Sequence, residues 1–197
     1  MKFLTTIMSL LLVVICSVAT PRCRIQRYDE SDGLTQWHVT QMTQDRQGMM
    51  WFSTWNGLCR YDGYEFQGFK GHVGDGNEIA TDRIRTVWLN DDGNIGCRVD
   101  DDLYLFNLHT YRFETRPGLK SYRNNAKSVK PDRPYKYKDK DGVLWTVYYD
   151  GKLTYSTDGT TENPYEGSVK MESARFCLPD RQGNLWVAGV NGIYKIC

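Results

Sequence analysis

The sequence lacks the short motifs that mark the common classes of enzyme site. It has no Gly-x-Ser-x-Gly, His-Glu-x-x-His, P-loop or Gly-x-Gly-x-x-Gly segment, so nothing supports a serine hydrolase, a zinc protease or a nucleotide-binding protein. Its three histidines, His38, His72 and His109, share no spacing typical of metal ligands. The acidic turns at Asn90 and Asp139 lack the ligand series and closing Glu of an EF-hand. We therefore predict no enzymatic activity, no metal and no cofactor.

An excess of charge of one sign is also missing. The chain has 25 Lys and Arg residues against 24 Asp and Glu residues, a net charge of +1. This balance gives no indication of a nucleic-acid partner or of binding to an acidic membrane surface. The cluster of basic residues in the polar segment 116–133 is interpreted as a solvated loop.

A cysteine framework is absent as well. None of the six cysteines forms a Cys-x-x-Cys pair, which argues against structural zinc and thioredoxin-like chemistry. Five of them follow the first apolar segment, namely Cys23, Cys59, Cys97, Cys177 and Cys197. Because this number is odd, we expect buried or spare thiols with at most one or two disulfides, and the pairing stays open.

One long apolar run is present, at the start of the chain. Lys2 precedes an almost wholly apolar segment from Phe3 to Cys16, and Ser17-Val18-Ala19 places small residues at positions −3 and −1 of a cleavage site. This pattern predicts a signal peptide over 1–19, cleavage after Ala19 and an exported mature chain over 20–197. The alternative is an uncleaved membrane anchor, for which the run is short. After cleavage we expect no membrane span.

A repeated pattern fills the mature chain. Glycines at positions 48, 93, 142 and 183 follow an Asp or Asn by three residues, at intervals of 45, 49 and 41 residues. Such a period is typical of a four-stranded propeller blade. The sequence predicts an all-β fold of about four four-stranded antiparallel blades, near 34–69, 81–114, 134–157 and 173–197, in a partial β-propeller. The repeat residues are Asp45, Gly48, Trp51, Gly93, Gly142, Trp145, Gly183 and Trp186.

The aromatic residues divide into repeating and non-repeating positions. Trp51, Trp145 and Trp186 stand three residues after a register glycine and are expected to pack between blades. The second unit has Gly96 at this position, which removes a large packing residue unless neighbours fill the space. Trp37 and Trp55 have no Trp counterpart in the other units.

Non-repeating aromatic residues near loop ends are candidates for a ligand site. Loops carry function more often than the strands they join, and aromatic faces stack on sugar rings. We therefore predict a ligand-binding site that contains Trp37 and Trp55, with Arg60 and Tyr64 as weaker candidates.

The first unit is more specific than a generic blade. From Asp32 to Phe66 it reads DGLTQWHVTQMTQDRQGMMWFSTWNGLCRYDGYEF, with Asp-Gly-Leu, Gln-Asp, Gly-x-x-Trp-Phe, Asn-Gly-Leu and Arg-Tyr-Asp-Gly-x-x-Phe in order. It closely resembles the opening repeat of the two-component regulator propellers. The segments that begin at Ile79 and Asp180 resemble later repeats, so that the resemblance extends over about 25–196.

The resemblance implies a role in signalling. Such propellers form the periplasmic sensor region of hybrid two-component histidine kinases and often respond to an oligosaccharide. A β-sandwich, a transmembrane helix, a kinase, a receiver and a DNA-binding domain follow the propellers, and none of these parts is in the sequence. The implied function is therefore a ligand-sensing segment with an oligosaccharide as ligand, and with remaining blades or a second chain as partner.

Three alternatives remain. In proteins of this kind about seven blades usually close the ring. Four units, a degraded second repeat and an odd number of cysteines therefore suggest a truncated gene product. A self-contained four-bladed propeller is also possible. A stand-alone periplasmic scaffold that binds a protein is a second function. A propeller lyase or hydrolase is a third, although the sequence shows no clustered histidines and carboxylates.

Overall fold

The computed structural model describes residues 21, 23–71, 74, 77, 79–120, 126–167 and 169–197. The predicted signal peptide, its cleavage site and His72 lie outside the described residues. Within these ranges, no helix is long and apolar enough to cross a membrane.

Short strands joined by tight turns make up the described chain, together with a one-turn 3-10 helix at Glu30–Asp32. The strands are β1 (Ile25–Tyr28), β2 (Val39–Gln44), β3 (Met50–Thr54), β4 (Gly57–Tyr61), β5 (Phe66–Phe69), β6 (Ile84–Leu89), β7 (Ile95–Val99), β8 (Asp102–Asn107), β9 (Arg112–Glu114), β10 (Lys127–Ser128), β11 (Tyr135–Lys138), β12 (Leu144–Val147), β13 (Leu153–Ser156), β14 (Asn163–Pro164), β15 (Phe176–Pro179), β16 (Leu185–Ala188) and β17 (Ile193–Ile196).

Four antiparallel sheets contain these strands. The first sheet has the order β2-β3-β4-β5, the second β6-β7-β8-β9 and the third β11-β12-β13-β14. Each is a meander of consecutive strands, so hairpin turns alone connect its members. The predicted fold class, all-β with propeller blades, is confirmed.

The fourth sheet differs because two of its strands come from distant parts of the chain. Its order is β1-β17-β16-β15-β10. The N-terminal strand β1 is its outer strand, with Ile25 opposite Ile196 and Tyr28 opposite Ile193. The short strand β10, from the polar segment between the second and third sheets, pairs with β15 on the other side. The N-terminal strand therefore completes the sheet that lies last in the sequence.

Three apolar clusters join neighbouring sheets. One lies between the third and fourth sheets, one between the fourth and first, and one between the first and second. Pairs from these clusters are Val147 and Leu185, Trp186 and Phe52, and Trp51 and Val87. Among the described residues, no cluster joins the second sheet to the third. The sheets therefore pack in the order third, fourth, first, second.

A hydrogen bond between Asp and Trp recurs in three of the sheets. In the first sheet, one oxygen of Asp45 accepts the Met49 backbone N–H at 2.9 Å, and the other accepts the indole N–H of Trp51 at 2.7 Å. Trp145 donates to Asp139 at 2.7 Å, and Trp186 donates to Asp180 at 2.8 Å. The Asp side chain thus fixes the turn and orients the Trp at the same time. The structure buries all three Trp residues.

The register glycines close the same turns. The N–H of each glycine donates to the carbonyl three residues earlier, at 2.9–3.2 Å. Their φ angles lie between 84° and 97°, a range that favours glycine. They are Gly48, Gly93, Gly142 and Gly183.

The second sheet lacks both members of the Asp–Trp pair. Asn90 stands in place of Asp, and Gly96 in place of Trp. The space is filled across the strands by Trp88, which lies opposite Gly96. A Cβ atom on Gly96 would lie 2.1 Å from the Trp88 ring. The sheet thus keeps a buried Trp in nearly the same place, supplied by the neighbouring strand.

Removing the carboxylate from the Asp45–Trp51 pair should destabilise the fold. Asp45 is only 1% exposed, so Asp45→Ala leaves a buried indole N–H and a turn N–H without a partner. We expect the free energy of unfolding to fall by about 2–3 kcal/mol, measured by urea denaturation.

Trp88→Phe is the matched control for this loss. The Trp88 indole nitrogen has no hydrogen-bond partner among the described residues. A double-mutant cycle of Asp45→Ala with Trp51→Phe should show a coupling energy of about 1–2 kcal/mol. The corresponding cycle of Asn90→Ala with Trp88→Phe should show none, and equal coupling in the two cycles would contradict the assigned role.

Gly96→Ala should destabilise the second sheet through a clash with Trp88. Overpacking of this kind costs about 1–3 kcal/mol. The second substitution Trp88→Val vacates the space, so the double variant should lose less stability than the sum of the single variants. Thermal unfolding of the four proteins checks this, and strict additivity would show that the two positions are not in contact.

Candidate functional site

The predicted ligand residues lie at different ends of the first sheet. Trp37 precedes β2 and Trp55 lies in the β3–β4 hairpin, so both lie at the end of the first sheet where β2 begins. We call this end the top face. Tyr64 lies in the β4–β5 turn at the opposite end, and Arg60 lies near that end within β4. The structure therefore brings together two of the four candidates.

A capped turn holds the segment that leads to Trp37. Oδ1 of Asp29 accepts the N–H of Ser31 at 2.8 Å, and Oδ2 of Asp32 accepts the N–H of Asp29 at 2.9 Å, which is a capping box. Glu30 then accepts the backbone N–H of Trp37 at 3.1 Å. The position of Trp37 is therefore set by local hydrogen bonds from its own loop.

The hairpin that carries Trp55 is fixed by side-chain hydrogen bonds. Oγ1 of Thr54 accepts the N–H of Asn56 at 3.0 Å and donates to the carbonyl of Gly57 at 2.8 Å. The Asn56 side chain donates to the carbonyl of Thr35 at 3.0 Å. The last contact joins the hairpin to the loop before Trp37, so the two indoles are carried by one hydrogen-bonded unit.

The two indoles flank a histidine. The ring of His38 stacks on Trp55 with centroids 4.1 Å apart and planes inclined at 29°, and Trp37 meets His38 edge-on at 5.5 Å. Trp37 is 45% exposed and Trp55 is 47% exposed. The cluster is therefore an aromatic surface with two half-exposed indoles.

The fourth sheet contributes a positive charge to this cluster. Nη1 of Arg175, from the residue before β15, lies 3.4 Å from Nε2 of His38. Burial, and then the charge of Arg175, lower the pKa of His38 below its usual value of 6.5. A neutral His38 can accept a hydrogen bond from the guanidinium at Nε2, which leaves the proton on Nδ1.

A cavity of about 490 Å³ opens beside Trp37 on the same face. Its wall combines the end of β1, the capped turn and the β16–β17 hairpin. The lining residues are Arg27, Asp29, Glu30, Ser31, Trp37, Val190 and Asn191. Arg27 pairs with Asp29 at 3.2 Å and donates to the carbonyl of Asn191 at 3.0 and 3.2 Å. The cavity thus presents an aromatic wall and several hydrogen-bonding groups.

Arg60 takes part in the contact between the first and second sheets. Its guanidinium donates to the hydroxyl of Tyr111 at 3.1 Å and to Gln67 at 2.6 Å. Its central carbon lies 5.6 Å from the Tyr111 ring centroid and 6.0 Å from those of Trp51 and Phe69. These contacts are those of a cation packed among aromatic rings at an interface.

Tyr64 stands apart from every other candidate. Its side chain is 96% exposed in the β4–β5 turn. Oδ1 of Asp62 accepts the backbone N–H of Tyr64 at 2.8 Å and of Glu65 at 3.0 Å. These bonds form an Asx turn in which the Tyr64 ring has no structural part.

Two residues of the cluster were missed by sequence reasoning. His38 was considered only as a metal ligand, although it adjoins Trp37 in the sequence. Arg175 comes from another repeat, and no local pattern distinguishes it. In the described part of the chain, no group of three or more His, Cys, Asp or Glu side chains is placed to hold a metal ion.

The lowered pKa of His38 predicts a specific pH dependence. Below its usual value of 6.5 the unfolded chain binds a proton more readily than the folded chain, so stability should fall as the pH decreases through this range. An NMR titration should give a pKa for His38 below 6.5. In Arg175→Gln the pKa should rise only part of the way, because burial is the larger cause. A pKa at or above 6.5 in the unmodified protein would contradict this account.

Comparison with known proteins agrees with the repeat pattern. Residues 34–56 match the family described as Two component regulator propeller. This match includes Trp37, His38, Asp45, Trp51 and Trp55. No curated protein matches the chain significantly.

Solved structures with a similar arrangement are known. One is the extracellular domain of a protein described as hybrid two component system BT3049 from B. thetaiotaomicron, with 16% identity over 88% of this chain and 41% of that one, and a TM-score of 0.44. The corresponding domain of BT4673 has 19% identity over 87% of this chain and 25% of that one, with a TM-score of 0.38. Virginiamycin B lyase from Staphylococcus aureus has 14% identity over 85% and 54%, with a TM-score of 0.35.

The chain spans less than two thirds of each of these structures. At such identities and TM-scores, ligands and activities do not transfer from them. The match over 34–56 confirms that the first unit resembles a two-component regulator propeller repeat.

Proposed function

We propose that this chain is the periplasmic ligand-sensing propeller segment of a hybrid two-component signalling receptor, and that its ligand is an oligosaccharide. The observation that carries the proposal is the pair of half-exposed indoles around His38 on the top face of a two-component regulator propeller repeat. The ligand site is the surface formed by Trp37, His38 and Trp55 together with the adjoining cavity.

The aromatic surface has the properties that a sugar ring requires. An indole presents a large flat apolar face to the C–H groups of a pyranose, and it loses little side-chain entropy because it is already ordered. The two indoles are held by hydrogen bonds of one loop and one hairpin. A prearranged surface of this kind favours stacking of adjacent sugar units.

The cavity beside Trp37 supplies the polar part of recognition. Carboxylate, guanidinium and amide groups can exchange hydrogen bonds with sugar hydroxyls, and they fix the orientation of a ligand whose apolar face lies on an indole. Arg27 and Asp29 already form an ion pair, so their charges largely cancel. A neutral or weakly charged oligosaccharide therefore suits the site better than a polyanion.

Output would depend on parts of a receptor beyond these 197 residues. Ligand binding changes signalling only if it favours one arrangement of the receptor over another. The second and third sheets share no apolar cluster among the described residues. Their outward faces are where remaining blades, or a second chain, would pack. We propose no catalytic activity for this segment.

Substitution of the two indoles tests the proposal. Trp37→Ala and Trp55→Ala should each weaken binding of an active oligosaccharide by roughly tenfold, about 1.4 kcal/mol, because each removes a stacking face. Isothermal titration calorimetry against a panel of plant and host-glycan oligosaccharides gives the affinities. Quenching of intrinsic Trp fluorescence provides an independent readout.

Tyr64→Ala is the matched control, since it removes an exposed aromatic ring from the opposite end of the same sheet. It should leave the affinity unchanged. Equal loss in all three variants, or none in the two Trp variants, would overturn the site. If no oligosaccharide binds and the chain forms a stable dimer in sedimentation equilibrium, the protein-binding scaffold becomes the better account.

A further inference from the structure

Arg175 brings a positive charge to the aromatic surface without a negative partner. Its backbone belongs to the fourth sheet, because its N–H donates to the carbonyl of Ala188 at 2.8 Å and its carbonyl accepts the N–H of Val129 at 2.8 Å. Its guanidinium extends toward the first sheet, where Nη1 lies 3.4 Å from Nε2 of His38. Among the described residues, the Arg175 side chain has no other hydrogen-bond partner.

Other arginines of the described chain have the carboxylate that Arg175 lacks. Five of them pair with Asp side chains at 2.6–3.3 Å, although their own side chains are 40–49% exposed, and these are Arg27, Arg83, Arg85, Arg98 and Arg116. Arg175 is only partly exposed, yet no described carboxylate forms an ion pair with it. A partly buried charge is costly when it has no partner.

Arg60 shows how a guanidinium can be satisfied without a carboxylate. It donates to the Tyr111 hydroxyl and to Gln67, and it lies against three aromatic rings. Arg175 has no such cation–π contact in the part of the chain that the structure describes. Since a guanidinium has five N–H donors, most of those on Arg175 have no acceptor in the described protein. They are available to a ligand.

The cation lies beside the proposed binding surface. The ring of His38 contacts Trp55 at 4.1 Å and Trp37 at 5.5 Å between centroids, and its Nε2 lies next to Arg175. A sugar stacked on either indole therefore has the guanidinium only one side chain away. Glu30, whose carboxylate accepts the N–H of Trp37, forms no ion pair with Arg175 and leaves its charge uncompensated.

We propose that the oligosaccharide carries one anionic group, a carboxylate or a sulfate ester on a sugar unit, and that Arg175 binds this group. The inference rests on the proposed function, and it narrows the ligand to a weakly charged oligosaccharide. The planar fork of a guanidinium can donate two parallel hydrogen bonds to the oxygens of such a group. A polyanion does not suit the surface, because Arg175 is a single cation and Arg27 is already paired with Asp29.

Ligands that differ only in charge test this contact. Oligogalacturonides are compared with their methyl esters, and a sulfated galactose oligosaccharide is compared with its unsulfated form, by isothermal titration calorimetry on the mature chain. In at least one of the two pairs, the anionic member should bind about tenfold more tightly, because its hydrogen bonds to the guanidinium are charge-assisted. This preference should decrease as salt is added, since salt screens the charges. The pair that shows it identifies the anionic group.

Arg175→Gln separates a contact with the ligand from a role in positioning His38. A direct contact predicts that the anionic member loses about tenfold in affinity while the neutral member keeps its own. Arg175→Lys retains the charge without the fork and should keep part of the preference. Arg116→Gln is the matched control, because it removes one positive charge from an exposed ion pair with Asp92 in the β6–β7 turn. It should keep the full preference.

Thermal unfolding shows whether the variant is folded. Because Arg175 has no carboxylate partner, Arg175→Gln should not lower Tm. The inference is overturned if charged and neutral members bind equally in both pairs, or if Arg175→Gln weakens both members by the same factor. It is also overturned, with the proposed function intact, if the chain binds only neutral oligosaccharides of the wider panel. If the chain binds no oligosaccharide at all, the proposed function fails as well.

Discussion

The fold depends on a carboxylate that is shared between a turn and an indole. In the first, third and fourth sheets, one oxygen of an Asp side chain accepts backbone N–H groups of the turn, and the other accepts the N–H of a Trp six residues later. A buried carboxylate requires these partners, and a buried indole requires an acceptor. The oriented rings then pack against the next sheet, as Trp186 does on Phe52 and Trp51 does on Phe106, each with centroids 5.6 Å apart. Local turn chemistry thereby sets the packing between blades.

The repeating part of the architecture was predictable from the sequence because its determinants are local. The Asp, Gly and Trp positions that define each unit lie within seven residues of one another, so one window contains the turn and its partner. The pairing of β1 with β17 was not predictable, because nothing in the residues around Ile25 specifies Ile196 as a partner. Any apolar strand could pair with the same edge of the sheet. The role of Trp88 was also not predicted. Trp88 fills the space of the Trp that is missing at position 96, but it does so from the opposite strand and therefore does not stand at the repeat position.

The candidate site was predictable only in part, for a related reason. Trp37 and Trp55 were found because they break the repeat, and residues that break a structural repeat are free to serve another purpose. The guanidinium of Arg60 packs among Trp51, Phe69 and Tyr111. The sequence did not predict this contact, because Tyr111 belongs to the neighbouring sheet. Arg175 reaches His38 from another unit. Sequence periodicity therefore does not predict contacts between repeats, and such contacts form part of the top face.

The place of β1 has a consequence for the order in which the protein can be assembled. Ile25–Tyr28 is synthesised well before its partner Ile193–Ile196, which follows about 165 residues later. Until those residues are synthesised, β1 has no strand to pair with, and the fourth sheet lacks its outer strand. Contacts of such long sequence separation form slowly. Completion of the fourth sheet is therefore a late step in the folding of these residues, and unpaired β1 is the segment that a chaperone would have most reason to cover.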